Sequence, residues 1–126
     1  MKSFYVTVAC VLGFAGVALG AFGAHALASI TTANRLETWS TAVDYHLFHT
    51  LAILALSALF RGKSSVWLQR ALLAFTAGIF VFSGSLYALV ITDMGILGAI
   101  TPIGGVLLLL GWVCAFAASR ELTGND

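Results

Sequence analysis

Apolar residues run through this chain in four long blocks, separated by short polar connections. Ser3–Asn34, Tyr45–Phe60, Ala71–Thr92 and Met94–Ser119 contain no Lys, Arg, Asp or Glu. The blocks are continuously apolar and do not alternate, which points to helices and away from a strand barrel. About 20 apolar residues suffice to cross about 30 Å of hydrocarbon as a helix. The pattern therefore predicts an all-α polytopic membrane protein. Its four transmembrane helices, at about 4–27, 42–60, 66–91 and 101–119, form one compact bundle within a single domain, 1–126.

Between the first two blocks the periodicity changes. Leu36, Trp39 and Val43 recur at helical spacing, while Arg35, Glu37 and Ser40 occupy other faces. Asn34 followed by Glu37 resembles a capping box. This reads as a short interfacial amphipathic helix between helices one and two, lying on the outer surface with Trp39 at headgroup level. The uncharged part of helix two has only 16 residues, Tyr45–Phe60. Its start must then reach back past Asp44, which places that carboxylate at or just inside the outer boundary. A carboxylate there is costly unless paired, hydrogen-bonded or wetted.

Small residues mark the faces on which helices approach. Gly13, Gly16, Gly20 and Gly23 line one stripe of helix one, and Gly16-x-x-x-Gly20 is a small-xxx-small pair. Gly84 with Ala88 forms a second pair in helix three. Helix four opens Thr101-Pro102-Ile103-Gly104-Gly105, with Thr101 suited to cap it and Pro102 to its first turn. Such stripes serve contacts within the chain or contacts with a second copy.

Composition agrees with a lipid setting. Hydrophobic residues make up 60% of the chain and charged residues 9%, against about 25% in soluble domains. A net charge of +1 argues against a nucleic-acid surface. The basic residues set orientation. Lys2, Arg61, Lys63, Arg70 and Arg120 fall on one side of a four-helix topology and Arg35 alone on the other. The positive-inside rule then places both termini in the cytoplasm. The run Phe4–Ala24 is too long for the h-region of a signal peptide, despite the Ala24-His25-Ala26 sequence after it. Cys10 and Cys114 lie within apolar segments and read as small buried hydrophobes. Gly62-Lys63-Ser64 follows no strand and is no phosphate loop.

Candidate chemistry gathers between positions 25 and 49, where all three histidines lie. With the spans above, His25, Asp44, Tyr45, His46, His49, Asp93 and Thr101 form a polar pole at the outer side. One reading is a hydrogen-bond network that closes the bundle. A second is a metal or haem site on His25, His46 and His49. A third is a proton or solute relay through His49 and Asp44. No carboxylate pair sits at the bundle centre and no G-x-S-x-G turn is present, so no enzyme is expected.

Four blocks in order carry a family resemblance: Leu19-Gly-Ala-Phe-Gly-Ala-His25, Tyr45-His-Leu-Phe-His-Thr50, Phe82-Ser-Gly-Ser-Leu-Tyr87 and Thr101-Pro-Ile-Gly-Gly105. Over nearly its whole length the chain resembles the DUF423 family of small four-helix bacterial inner-membrane proteins. The resemblance implies that architecture and membrane, and supplies no activity. It matches His25 and His49 more securely than His46. The leading expectation is a non-enzymatic structural or accessory component, working through helix contacts in a homo-oligomer or a larger membrane complex. A small transporter or ion- or proton-binding protein is the alternative, and a bundle holding metal or bis-histidine haem through His25 and His49 is the third.

Overall fold

The computed structural model describes Lys2 to Thr123. Four long helices account for most of it: α1 (Lys2–His25), α2 (Ala33–Leu59), α3 (Val66–Thr92) and α4 (Thr101–Thr123). Short 3₁₀ turns, Leu27–Ser29 and Gly95–Ala99, lie in the two connections at one end. All four helices are long and apolar enough to cross a membrane.

Helix α2 departs from the sequence reading. It runs unbroken from Ala33 to Leu59, so the expected interfacial helix is the first part of a membrane span. Its N-cap is Thr32, whose side-chain oxygen accepts the N–H of Arg35 at 3.2 Å. Asn34 and Glu37 form no capping box, because Asn34 already lies inside the first turn. Continuity follows from one buried stripe. Trp39, Val43, His46, Thr50, Ile53 and Ser57 recur every three or four residues with no change of phase across Asp44.

Helix α3 is capped by Ser65, whose hydroxyl accepts the N–H of Leu68 at 3.1 Å. It ends at Asp93, which adopts the left-handed conformation with φ 57°. This reverses the chain into the 3₁₀ turn without a glycine.

The helices pack in series, α1 on α2, α2 on α3 and α3 on α4, the last contact being the most extensive. The glycine stripe of α1 faces α2. A Cβ at Gly23 would lie 2.5 Å from Trp39, one at Gly16 would collide with Leu47, and one at Gly20 would press on Val43 at 3.3 Å. The bare stripe also uncovers backbone carbonyls. Trp39 donates its indole N–H to the Leu19 carbonyl at 2.8 Å, and His46 Nε2 meets the Leu12 carbonyl at 2.8 Å.

The α3–α4 seam uses glycines that the sequence did not single out. Gly78 seats Leu108, and Gly111 seats Phe75. Gly104 meets backbone, with Phe82 Cα 2.6 Å from where a Cβ would stand. Gly13 and Gly105 have room for a methyl group at ordinary contact distance, 3.8 Å. The expected packing face on Gly84 is not a contact within the chain, since a Cβ there would meet nothing within 4 Å.

Two apolar clusters result. One, at the end bearing Arg61 and Arg70, includes Tyr5, Ile53, Phe60, Leu72 and Phe75. The other, at the opposite end, includes Leu27, Trp39, Val43, Leu89 and Val90. His46, His49, Thr50, Ser83 and Ser85 are all buried, and form a polar band around the level where the two clusters meet.

Candidate functional site

The unbroken α2 moves the polar residues to a new depth. Asp44 stands 11 residues into a helix of 27, about 16 Å from its first turn and about 22 Å from its last. The register against α3 agrees. Ser83 donates to the Ala42 carbonyl at 2.7 Å, and Ser83 lies between Arg70 and Asp93, about 20 Å from one and about 15 Å from the other. Asp44, Tyr45, His46 and His49 therefore sit in the middle of the span. The outer pole expected from the sequence divides into a mid-depth band and two exposed end residues, His25 and Asp93.

Each buried histidine has both ring nitrogens engaged. Trp112 donates its indole N–H to His49 Nε2 at 3.0 Å, and His49 Nδ1 lies 2.8 Å from the Tyr45 carbonyl. An indole only donates and a carbonyl only accepts, so His49 is a neutral imidazole with its proton on Nδ1. His46 is the opposite tautomer. Its Nε2–H donates to the Leu12 carbonyl, and in the neutral ring Nδ1 accepts from the Tyr87 hydroxyl at 2.9 Å. The two rings are 4% exposed each, and among the described residues no buried side-chain polar atom lacks a partner.

The three histidines do not converge. The contact between Gly23 and Trp39 places His25 near the level of Glu37, about 18 Å along the axis from His49. His25 and His49 are thus too far apart to ligate one haem iron. Among the described residues no three His, Cys, Asp or Glu side chains gather as a metal-binding group. Asp93 is engaged with Arg35, Nε to Oδ1 at 3.0 Å, joining the start of α2 to the end of α3. Thr101 meets Ser85, hydroxyl to hydroxyl, at 2.6 Å.

Asp44 faces a lateral groove of about 690 Å³ between α2 and α4, with Phe82 of α3 also lining it. Tyr45, Phe48 and His49 border it on α2, and Trp112 on α4. The aromatic rings form a continuous wall. Tyr45 lies 4.7 Å from Phe82 and Phe48 6.1 Å from Trp112, centroid to centroid. Phe48 is 61% exposed, so the groove opens sideways toward lipid. The sequence reading missed Trp112 as part of this site. A tryptophan halfway along a span has an N–H that needs a partner, and that signal would have found it.

Residues 19–105 match the family described as "Protein of unknown function (DUF423)". The chain belongs to the DUF423 family. It is 44% identical over 115 residues to a "UPF0382 membrane protein" of Haemophilus influenzae, covering 90% of each chain. To the "UPF0382 inner membrane protein YgdD" of Escherichia coli K12 it is 39% identical over 119 residues, 94% of this chain and 91% of the relative. To the "UPF0382 membrane protein YwdK" of Bacillus subtilis it is 38% identical over 122 residues, 91% and 94%. No solved structure matches the chain. This DUF423 protein is accordingly a multi-pass protein of the inner membrane.

Proposed function

We propose that this protein is a non-enzymatic intramembrane binding protein, of the small transporter or ion- and proton-binding kind, whose working part is the Asp44 groove. The observation that carries the reading is a carboxylate at mid-span, lining a lateral groove, with no hydrogen-bond or ion-pair partner among the described residues. A charge at that depth is expensive and marks an ion or substrate pathway. The proposal includes both termini in the cytoplasm, and the positive-inside bias supports it: Arg61, Lys63, Arg70 and Arg120 lie at one end and Arg35 at the other.

An accessory role through helix contacts draws less support. Gly16, Gly20 and Gly23, the main stripe that suggested it, are turned to α2 of the same chain, which leaves only the Gly84 face, among those named, open to a second copy. A haem-holding role would need lone pairs that His46 and His49 commit elsewhere.

Hydrophobic carbodiimides test the reading, because they modify protonated carboxyl groups within lipid. Treatment of the protein in its own membranes is expected to place the adduct on Asp44, read by peptide mass. Labelling of Glu37 or Asp93 with Asp44 unmodified overturns it.

A further inference from the structure

The groove has a one-sided chemistry, and its occupant follows from what is left uncommitted there. His49 Nε2 and the Trp112 indole N–H are spent on each other, and His49 Nδ1 on the Tyr45 carbonyl. His49 is neutral by the geometry of that bond. The basic side chains described lie at the helix ends, with Arg35 held on Asp93 and Arg70 stacked over Trp67 at 4.8 Å. Asp44 is then the one formal charge lining the groove. Apart from the Tyr45 hydroxyl the remaining wall is aromatic and aliphatic, with Tyr45, Phe48, Phe82 and Trp112 presenting rings.

Three classes of ligand fail against this wall. An anion would meet a carboxylate in a low-dielectric setting. A sugar or peptide would bring several donors and acceptors to surfaces that cannot answer them. A bare alkali ion would exchange its water for a single carboxylate and few other oxygens, where hard cations take about six. A single positive charge on an apolar body satisfies every element. Its charge neutralises Asp44, its surface covers the rings, and aromatic faces add cation–π attraction strengthened by desolvation. The volume, about 690 Å³, suits a drug-sized molecule.

We infer that the α2–α4 groove binds a lipophilic organic monocation, with Asp44 as its counter-ion and the rings of Phe48, Tyr45 and Trp112 as its cradle. The inference rests on the reading of the Asp44 groove as the working part of the protein and names the class of molecule it takes. Entry is lateral, from the lipid, since the groove opens on that side.

Tetraphenylphosphonium and tetraphenylborate form the decisive pair, being nearly equal in size and opposite in charge. Full-length protein in nanodiscs is titrated with each, reading tryptophan fluorescence against empty nanodiscs. Saturable binding of tetraphenylphosphonium is expected, with no saturable binding of tetraphenylborate. Asp44→Asn weakens the cation at least about tenfold, Asp44→Glu retains it, and Phe48→Leu weakens it about tenfold through the lost ring face. Asp44 and Phe48 are both exposed, and the thermal transition of each variant, read in the same nanodiscs, confirms folding. Equal binding of the cation to Asp44→Asn, or saturable binding of tetraphenylborate, overturns the inference. Carbodiimide labelling of Asp44 that tetraphenylphosphonium fails to block also overturns it, while leaving the groove as a proton- or ion-binding site.

Discussion

Trp112 Nε1 and His49 Nε2 lie 3.0 Å apart, joining two helices that both pack against α3. Helical side chains lean toward the N-terminus of their own helix, so Trp112 reaches back up α4 to His49. The bond fixes the tautomer of the histidine and sets one wall of the groove. Its energetic worth is modest, because interhelical hydrogen bonds in lipid average about 0.6 kcal/mol and reach about 1.7 kcal/mol.

A double-mutant cycle measures this coupling. Trp112→Phe removes the donor and His49→Leu the acceptor. Thermal unfolding in mild detergent is expected to give a coupling of about 0.5–1.5 kcal/mol. Additive single changes would mean that the two side chains do not act together.

Glycine substitutions rank by what the new methyl meets. Gly104→Ala meets the backbone of Phe82, which cannot swing aside, and costs about 2–3 kcal/mol. Gly111→Ala meets the ring of Phe75, which has some freedom, and costs less. Gly84→Ala meets nothing and changes stability by about 0.5 kcal/mol or less, or raises it. A thermostability ranking in any other order contradicts the α3–α4 seam.

Asp93 has two separable roles, a left-handed backbone and an ion pair with Arg35. Asparagine tolerates the first and loses the second, whereas alanine loses both. Asp93→Asn is expected to cost under about 1 kcal/mol, as for an exposed pair, and Asp93→Ala about 1 kcal/mol more. Equal melting temperatures for the two variants would remove the backbone contribution.

Orientation is open to labelling. In a background with Cys10→Ser and Cys114→Ser, His25→Cys is expected to react with an impermeant maleimide in intact spheroplasts. Ser64→Cys is expected to react only after permeabilisation. The reverse pattern places the termini outside.

Helix number and the glycine face of α1 were legible in the sequence, because block length and small-residue spacing are one-dimensional signals. The start of α2 was not. Arg35 and Glu37 drew attention to the polarity of that stretch, while the stripe from Trp39 to Ser57 carries the same phase straight through it. That misreading moved Asp44 to the boundary when it belongs at mid-depth. Gly78 and Gly111 were invisible for another reason. An isolated glycine means little until the large side chain seated on it, Leu108 or Phe75, is known. The groove depends on α2 and α4 flanking α3 together, a relationship that no spacing along the chain encodes.

Serial packing gives this bundle an order of assembly. Each helix packs against the one made just before it, so every newly inserted span finds a neighbour already in the membrane. The most extensive contact, α3 with α4, forms last. The His49–Trp112 bond, which joins helices distant in the chain, likewise closes only when α4 arrives. Quenching or shift of Trp112 emission during synthesis would therefore time the final step of biogenesis, and the groove would come into being at that same moment.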